Sequence, residues 1–232
     1  MTPFVPEDRI VPWQDSLPKE FAAVPLKYLV RINPTVLRED TPLDYEIRYI
    51  DISSVSSHGE VTDVTVMPFR DAPSRARRIV KLGDTIVSTV RTYLKAIAYV
   101  EGDDQALICS TGFAVLRPGP RIHPRFLFYW TRSNLFIDEI CARSTGVSYP
   151  AINAHEIGSL PFPVVEMQLQ QLIAAFLDEK LLQLRRVFGA LNGLVSTNDS
   201  AAGALVDYRD YLITAAVTGQ IDVRKLRAEG TA

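Results

Sequence analysis

Cysteine and histidine are nearly missing from this chain. Cys109 and Cys141 are the two cysteines in 232 residues, and His58, His123 and His155 are the three histidines. Thiols this far apart exclude a disulfide framework and a Cys-x-x-Cys metal site, and they suit a reducing cytoplasm. The histidines stand in separate segments without metal-ligand spacing and read as surface or capping residues. Long apolar runs are missing too: none approaches the roughly 20 residues that cross a bilayer. Residues 1–7 carry neither a basic n-region nor an apolar h-region, so no signal peptide is expected. Charge of one sign is not in excess either. With a net charge of −2, a case for nucleic-acid binding has to come from local patches.

Catalytic signatures are equally absent. Asn33-Pro34-Thr35-Val36 lacks the second proline and the aromatic residue of an amino-methyltransferase loop. There is no strand–Gly-x-Gly–helix cofactor turn and no Gly-x-x-x-x-Gly-Lys-Ser/Thr phosphate loop. Cys109-Ser110-Thr111-Gly112-Phe113 has no glycines two before and two after the serine, as a nucleophile elbow requires. Asp178-Glu179-Lys180 superficially looks like a nuclease triad, but on a coiled-coil helix it reads as a solvated face. No catalytic residue, metal site or cofactor is expected in the chain itself.

What is present is a patterned α/β (α+β) head of mixed sheet, residues 1–164. Five prolines among the first 25 residues make an irregular lead-in, strapped down by Trp13 and Phe21. Residues 24–30 are short and apolar, a strand or one helical turn, ended by Asn33-Pro34. Residues 45–53 and 60–67 alternate as strands do. Residues 85–90 are β-branched at nearly every position, which predicts a strand buried on both faces. Residues 95–100 and 107–116 read as further strands, parted by the turn 101–104. His123-Pro124 opens a helix holding Phe126, Phe128, Tyr129 and Trp130, and 134–141 is a second helical pattern. A loop of small residues, 143–150, follows, and 152–160 leads to Pro161 and Pro163.

Beyond those prolines, residues 166–217 carry a seam. Leu177, Leu181, Leu184, Phe188, Leu191 and Val195 recur in steps of four and three, the a/d pattern of a coiled coil. Such a seam predicts a partner helix, and an unbroken helix would be about 75 Å long. The alternative is a helix folded back on its own head, which Gly189, Gly193 and the polar break 196–200 would permit. Residues 165–219 thus read as a helical spacer and dimerisation region, and 220–232 as a C-terminal tail.

Between residues 70 and 95, seven basic residues face two acidic ones. The loop Arg91-Thr92-Tyr93-Leu94-Lys95 offers a guanidinium, a hydroxyl, a phenol and an ammonium just after a strand. Arginine can pair bidentately with a guanine edge, lysine with phosphate, and hydroxyls with either. The loop 143–149 has a similar composition. Arg91, Thr92, Tyr93 and Lys95, then Ser144, Ser148 and Tyr149, are the candidate base-reading residues. Arg75, Arg77 and Arg78 are the candidate phosphate contacts.

Five stretches then fall in a telling order. They are the lead-in with Leu17-Pro18-Lys19-Glu20-Phe21, then Lys81-Leu82-Gly83-Asp84-Thr85-Ile86-Val87, then Ser110-Thr111-Gly112-Phe113-Ala114-Val115-Leu116. After them come Ser144-Thr145-Gly146 with Leu160-Pro161-Phe162-Pro163, and finally Ile173-Ala174-Ala175-Phe176-Leu177-Asp178 with Ala216-Val217-Thr218-Gly219. Together they resemble the target recognition domain and helical region of the DNA-specificity subunit of type I restriction-modification systems. Two departures stand out. Glu166-Met167-Gln168 blurs the usual Glu-Gln opening of the helical region, and the chain has one recognition domain and one helical region where the family usually has two of each. It looks like a half-subunit.

The resemblance implies a non-catalytic protein that binds double-stranded DNA and reads one half of a split target. It implies modification (methyltransferase) subunits that methylate adenine, with S-adenosylmethionine bound on that partner, and restriction (motor-nuclease) subunits that cut. A single head implies pairing, as a homodimer or with a second half-subunit, through the helix. Two other readings compete: a scaffold that keeps only the helical interaction, and a small-substrate enzyme built around Arg91, Tyr93, Cys109 and Tyr149.

Overall fold

The computed structural model describes residues 12–56, 58–102, 106–194 and 199–229. In chain order the strands are β1 (Ala22–Pro25), β2 (Val30–Ile32), β3 (Glu46–Ile50), β4 (Thr65–Pro68), β5 (Ala76–Ile79), β6 (Thr85–Ser88), β7 (Ile97–Tyr99), β8 (Leu107–Ser110), β9 (Phe113–Pro118) and β10 (Pro161–Val164). The helices are α1 (Pro124–Thr131), α2 (Asn134–Arg143), α3 (Ala154–Ser159), α4 (Met167–Leu194), α5 (Asp199–Val217) and α6 (Val223–Glu229). The mixed sheet and helices are those expected of an α+β head followed by a helical region.

One four-stranded sheet runs in the order β2-β9-β6-β7 and is antiparallel throughout. Its strand β6 is buried at every position, as its β-branched run demands. The turn before β6 is locked by Asp84, almost wholly buried. Its carboxylate accepts the Lys81 N–H at 2.9 Å and two bonds from Arg117 of β9, at 2.9 and 2.7 Å. The second sheet runs β4-β3-β8-β5, with β3 and β8 parallel and the other pairs antiparallel.

The single strand expected over 107–116 is two strands, one in each sheet. The chain turns between them at Thr111-Gly112, where a Cβ on Gly112 would lie 2.7 Å from the Ile52 side chain. Ser110-Thr111-Gly112 parts two apolar runs at this turn, a break that the reading of a single strand passes over. Pro161 and Pro163 do not simply end the head. They belong to β10, which pairs with β1 in a two-stranded ribbon that has no further strand to demand their missing N–H groups.

Helix α1 starts at Pro124, with Pro at its first position. It turns Phe126, Leu127, Tyr129 and Trp130 into the largest core, and Trp13 packs against Trp130 with ring centroids 5.0 Å apart and planes tilted by 56°. The aromatic lead-in is therefore strapped down as its composition implied. Ser133 caps α2, and an Asn153–Glu156 capping box starts α3.

The 166–217 stretch is not one rod. Leu169, Ile173 and Leu177 near the start of α4 share a core with Leu212, Ile213, Ala216 and Val217 near the end of α5. The two helices therefore run antiparallel, as a hairpin against the head. Leu177 is fully buried and Leu181 and Leu184 pack against the same core. Over this part of the seam, the chain's own head and α5 supply the partner. Phe188 is partly exposed; the side chain of Leu191 and all of Val195 lie outside the described residues. The same core runs from Phe21 to Val223, joining head and helices. The Thr218-Gly219 stop holds: Gly219 takes φ +73°, and a Cβ there would meet Phe21 at 2.7 Å. The expected tail contains α6, pinned to the lead-in by Arg224 and Glu20 at 2.7 Å. No described helix is long and apolar enough to cross a membrane.

Candidate nucleic-acid interface

The two loops singled out in the sequence stand side by side. Just past β6, Val90 bridges to Ala151, the Arg91 N–H donates to the Pro150 carbonyl at 2.8 Å, and the Ile152 N–H donates to Thr89 at 2.9 Å. Thr145 and Ala151 exchange two backbone hydrogen bonds of 2.9 Å, which closes 146–150 into a tight loop. Gly146 sits inside it at φ +108°, a conformation that L side chains rarely adopt.

Arg91 opens a 3-10 turn, Thr92–Leu94, that Lys95 closes. Both end residues are left-handed, with φ 50° and 53°, at a cost of roughly 1–2 kcal/mol each for a residue with a Cβ. Neighbouring loops hold them there. The Arg91 guanidinium lies over the Tyr149 ring, 4.7 Å from its centroid. An exposed contact of this kind contributes about 0.5–1 kcal/mol and orients the guanidinium without neutralising it. No carboxylate among the described residues pairs with Arg91. Tyr93, Ser148 and Tyr149 are all exposed beside it.

The other candidates have structural duties. Thr92 is buried, and its hydroxyl lies 2.8 Å from that of Ser144, which donates to the Ile140 carbonyl at 2.7 Å. This pair ties the 3-10 turn to the end of α2. Lys95 reaches Asp210 on α5 at 3.6 Å.

The three arginines of 75–78 part company because β5 carries a bulge between Ala76 and Arg78. Arg75 is half exposed and braced by the Tyr49 hydroxyl at 3.0 Å and Asp51 at 2.7 Å. Arg77 lies 4.8 Å over the Phe69 ring. Arg78 is not a surface phosphate contact. Its guanidinium donates inward to the Asn33 side chain at 2.9 Å and to the Phe113 carbonyl, and burial lowers its pKa. Arg75 still belongs to the neighbourhood of the loops. The Thr111 N–H donates to its carbonyl at 2.8 Å, and the adjoining Gly112 carbonyl accepts the Thr89 N–H at 2.7 Å.

The enzyme constellation does not assemble. Cys109 is fully buried in β8 between Ile50 and Arg78, and burial pushes its thiol up to about 12. It cannot meet a substrate together with the exposed Arg91, Tyr93 and Tyr149. Among the described residues no group of three His, Cys, Asp or Glu side chains could hold a metal ion.

One role was missed in the sequence. Asp178, read there as part of a solvated face, accepts hydrogen bonds from Arg125 (Nε at 3.0 Å) and from the Tyr129 hydroxyl. It bolts α4 to α1. Asp178 sits one residue past the seam position Leu177, so the heptad pattern alone assigns it to water.

A family model described as the type I restriction modification DNA specificity domain matches residues 44–183. The chain belongs to this family. The match takes in both loops, the arginines of β5 and the first half of α4. The specificity subunit of type I restriction enzyme HindI from Haemophilus influenzae (strain ATCC 51907 / DSM 11121 / KW20 / Rd) is 28% identical over 130 residues, which is 53% of this chain and 27% of that protein. Among solved structures, the HsdS subunit from Thermoanaerobacter tengcongensis is 31% identical with a TM-score of 0.68, over 76% of this chain and 46% of that one. A structure described as the basis of complex assembly and conformational transition of the type I R-M system matches at the same identity and coverage, with a TM-score of 0.69. This specificity domain therefore spans less than half the length of the relatives it matches.

Proposed function

We propose that this specificity domain reads one half of a split DNA target and is a recognition subunit, not an enzyme. The observation that carries the reading is Arg91. It stands where two loops from distant parts of the sequence are hydrogen-bonded together, and its guanidinium lies over the Tyr149 ring with no carboxylate partner among the described residues. A guanidinium held this way can present two parallel N–H groups to the O6 and N7 of a guanine. Tyr93, Ser148 and Tyr149 are the exposed side chains of the same two loops; Arg77 is the phosphate contact in this reading, and Arg75, paired with Asp51, braces the turn beside them.

The helical hairpin is the docking element in this reading, recruiting the methyltransferase subunits, which bring S-adenosylmethionine, and the restriction subunits, in the cytoplasm. Pairing with a second copy or another half-subunit would use the outer face of the hairpin, where Leu182, Val187, Tyr208 and Tyr211 are exposed. Two identical heads related by a two-fold axis would read a palindromic split target.

The test is the genome-wide adenine methylation motif in cells with and without the chain. A split motif that disappears with the chain is expected. Arg91→Ala should relax one base position, at about 1–3 kcal/mol of discrimination. Arg77→Ala should weaken all DNA alike. An Arg91→Ala methylation motif unchanged in sequence and extent overturns the assignment.

A further inference from the structure

Val147 sits at the tip of the loop closed by Thr145 and Ala151, and its side chain is wholly exposed, at 102% of the reference area. Tight loops ordinarily place glycine, asparagine or serine at such a tip, as this one does on either side, with Gly146 and Ser148. A branched apolar side chain there gains nothing from water. It also packs on nothing in the fold, so it does not account for the loop's own stability. Leu94, in the turn that Arg91 opens, is half exposed as well. Apolar surface therefore flanks a guanidinium that has no acidic partner among the described residues.

The major groove offers one apolar feature for such surface to meet, the 5-methyl group of thymine. Resting on the DNA-reading role of this loop pair, we propose that Val147 is a specificity-determining residue that contacts a thymine methyl group. The geometry limits which thymine. Val147 is two residues from Tyr149, so their Cα atoms lie within roughly 7 Å of each other. Base pairs follow one another every 3.4 Å or so. The thymine is therefore about one to three base pairs from the position read by Arg91.

The experiment uses the full chain together with its modification subunits. The half-site is first selected from random duplexes, and each thymine in it is then replaced by deoxyuridine, which removes the methyl group and keeps the base pairing. One replacement should weaken wild-type binding about fourfold, the worth of one buried methyl group. Val147→Ala should bind the unmodified site about fourfold more weakly and be indifferent to deoxyuridine at that thymine. Its melting temperature should match the wild type, because the side chain touches nothing. The proposal is overturned if no thymine near the Arg91 position responds, or if Val147→Ala keeps the full response. It is also overturned if Val147→Ala binds DNA normally but loses the modification subunits, which would make the tip a protein-docking point. A wild-type complex that selects no sequence at all refutes the DNA-reading role itself, an outcome distinct from the other three.

Discussion

At the junction of α1 with the helical hairpin, Arg125 meets Asp178 and Glu101, Arg185 meets Glu60, and Arg209 meets Asp210. Arg125, Asp178, Glu101, Arg185, Glu60 and Arg209, with His58 and Arg132, line a cavity of about 330 Å³ between head and helices. At the two candidate loops, Arg91 meets a tyrosine ring. The same side chain does two kinds of work, and what stands opposite decides which. A carboxylate takes up the guanidinium's hydrogen bonds and its charge, and so fastens two elements together. A ring fixes the plane of the guanidinium and leaves both hydrogen bonds and charge for a ligand. If this contrast is right, changes at the junction alter stability and leave base preference alone, and changes at the loops do the reverse.

The largest effect should come from Leu177→Ala at the junction. Leu177 is fully buried in the core shared by head and hairpin, and truncating it should remove about 3 kcal/mol of unfolding free energy. Urea denaturation measures this, and the loss should be the same at every protein concentration. A concentration dependence of the midpoint that Leu177→Ala abolishes would instead give the seam to a second copy of the chain. Next is Asp178→Ala, which leaves Arg125 and the Tyr129 hydroxyl without their shared acceptor. Burial raises the Tyr129 pKa, so the phenol stays protonated and needs that acceptor. The expected loss is about 2 kcal/mol, seen as a fall in melting temperature of about 4–8 °C, with an unaltered methylation motif.

Much of the scaffold could be read from residue chemistry. The β-branched run of β6 announced its burial, the aromatic residues of 126–130 their core, and Gly219 the end of α5. The failures share a cause: a one-dimensional pattern reports the environment of an element but not the identity of its neighbour. The two apolar runs of 107–116 did not say that they lie in different sheets. The heptads of α4 called for a second helix without saying that α5 of the same chain supplies it. At the candidate site, composition placed Arg78 and Arg91 in one basic patch. A bulge turns Arg78 inward to Asn33 and Phe113, and a left-handed turn stands Arg91 on Tyr149. Those are backbone events that no residue count records. The meeting of 91–95 with 144–150 depends on long-range strand pairing and was equally out of reach.

A smaller effect should separate orientation from charge at the loops. Tyr149→Leu removes the ring beneath Arg91 and keeps the guanidinium. Discrimination at the Arg91 position should fall by about 1 kcal/mol, less than on losing the arginine. In a double mutant with Arg91→Ala, the tyrosine change should add nothing further, because the two residues act as a unit. Additive losses in selection-based binding assays would mean that Tyr149 touches DNA on its own account.

Lys95 tests the boundary between the two regions, because it closes the turn that Arg91 opens yet reaches Asp210 on α5 at 3.6 Å. With its side chain nearly half exposed, the pair is worth less than about 1 kcal/mol. If Lys95 is a strut, Lys95→Gln should lower stability by that small amount, and it should add nothing further in an Asp210→Asn background, which also loses the pair with Arg209. The dependence of DNA affinity on salt should then stay as it was. If Lys95 contacts a phosphate, Lys95→Gln alone should lower the slope of log affinity against log salt by about 1. The carboxylate opposite Lys95 favours the strut, by the rule that separates Arg125 from Arg91. A lowered slope would show that an ion pair at the rim of the reading surface can be exchanged for DNA, so the rule would hold only for pairs as enclosed as Arg117 with Asp84.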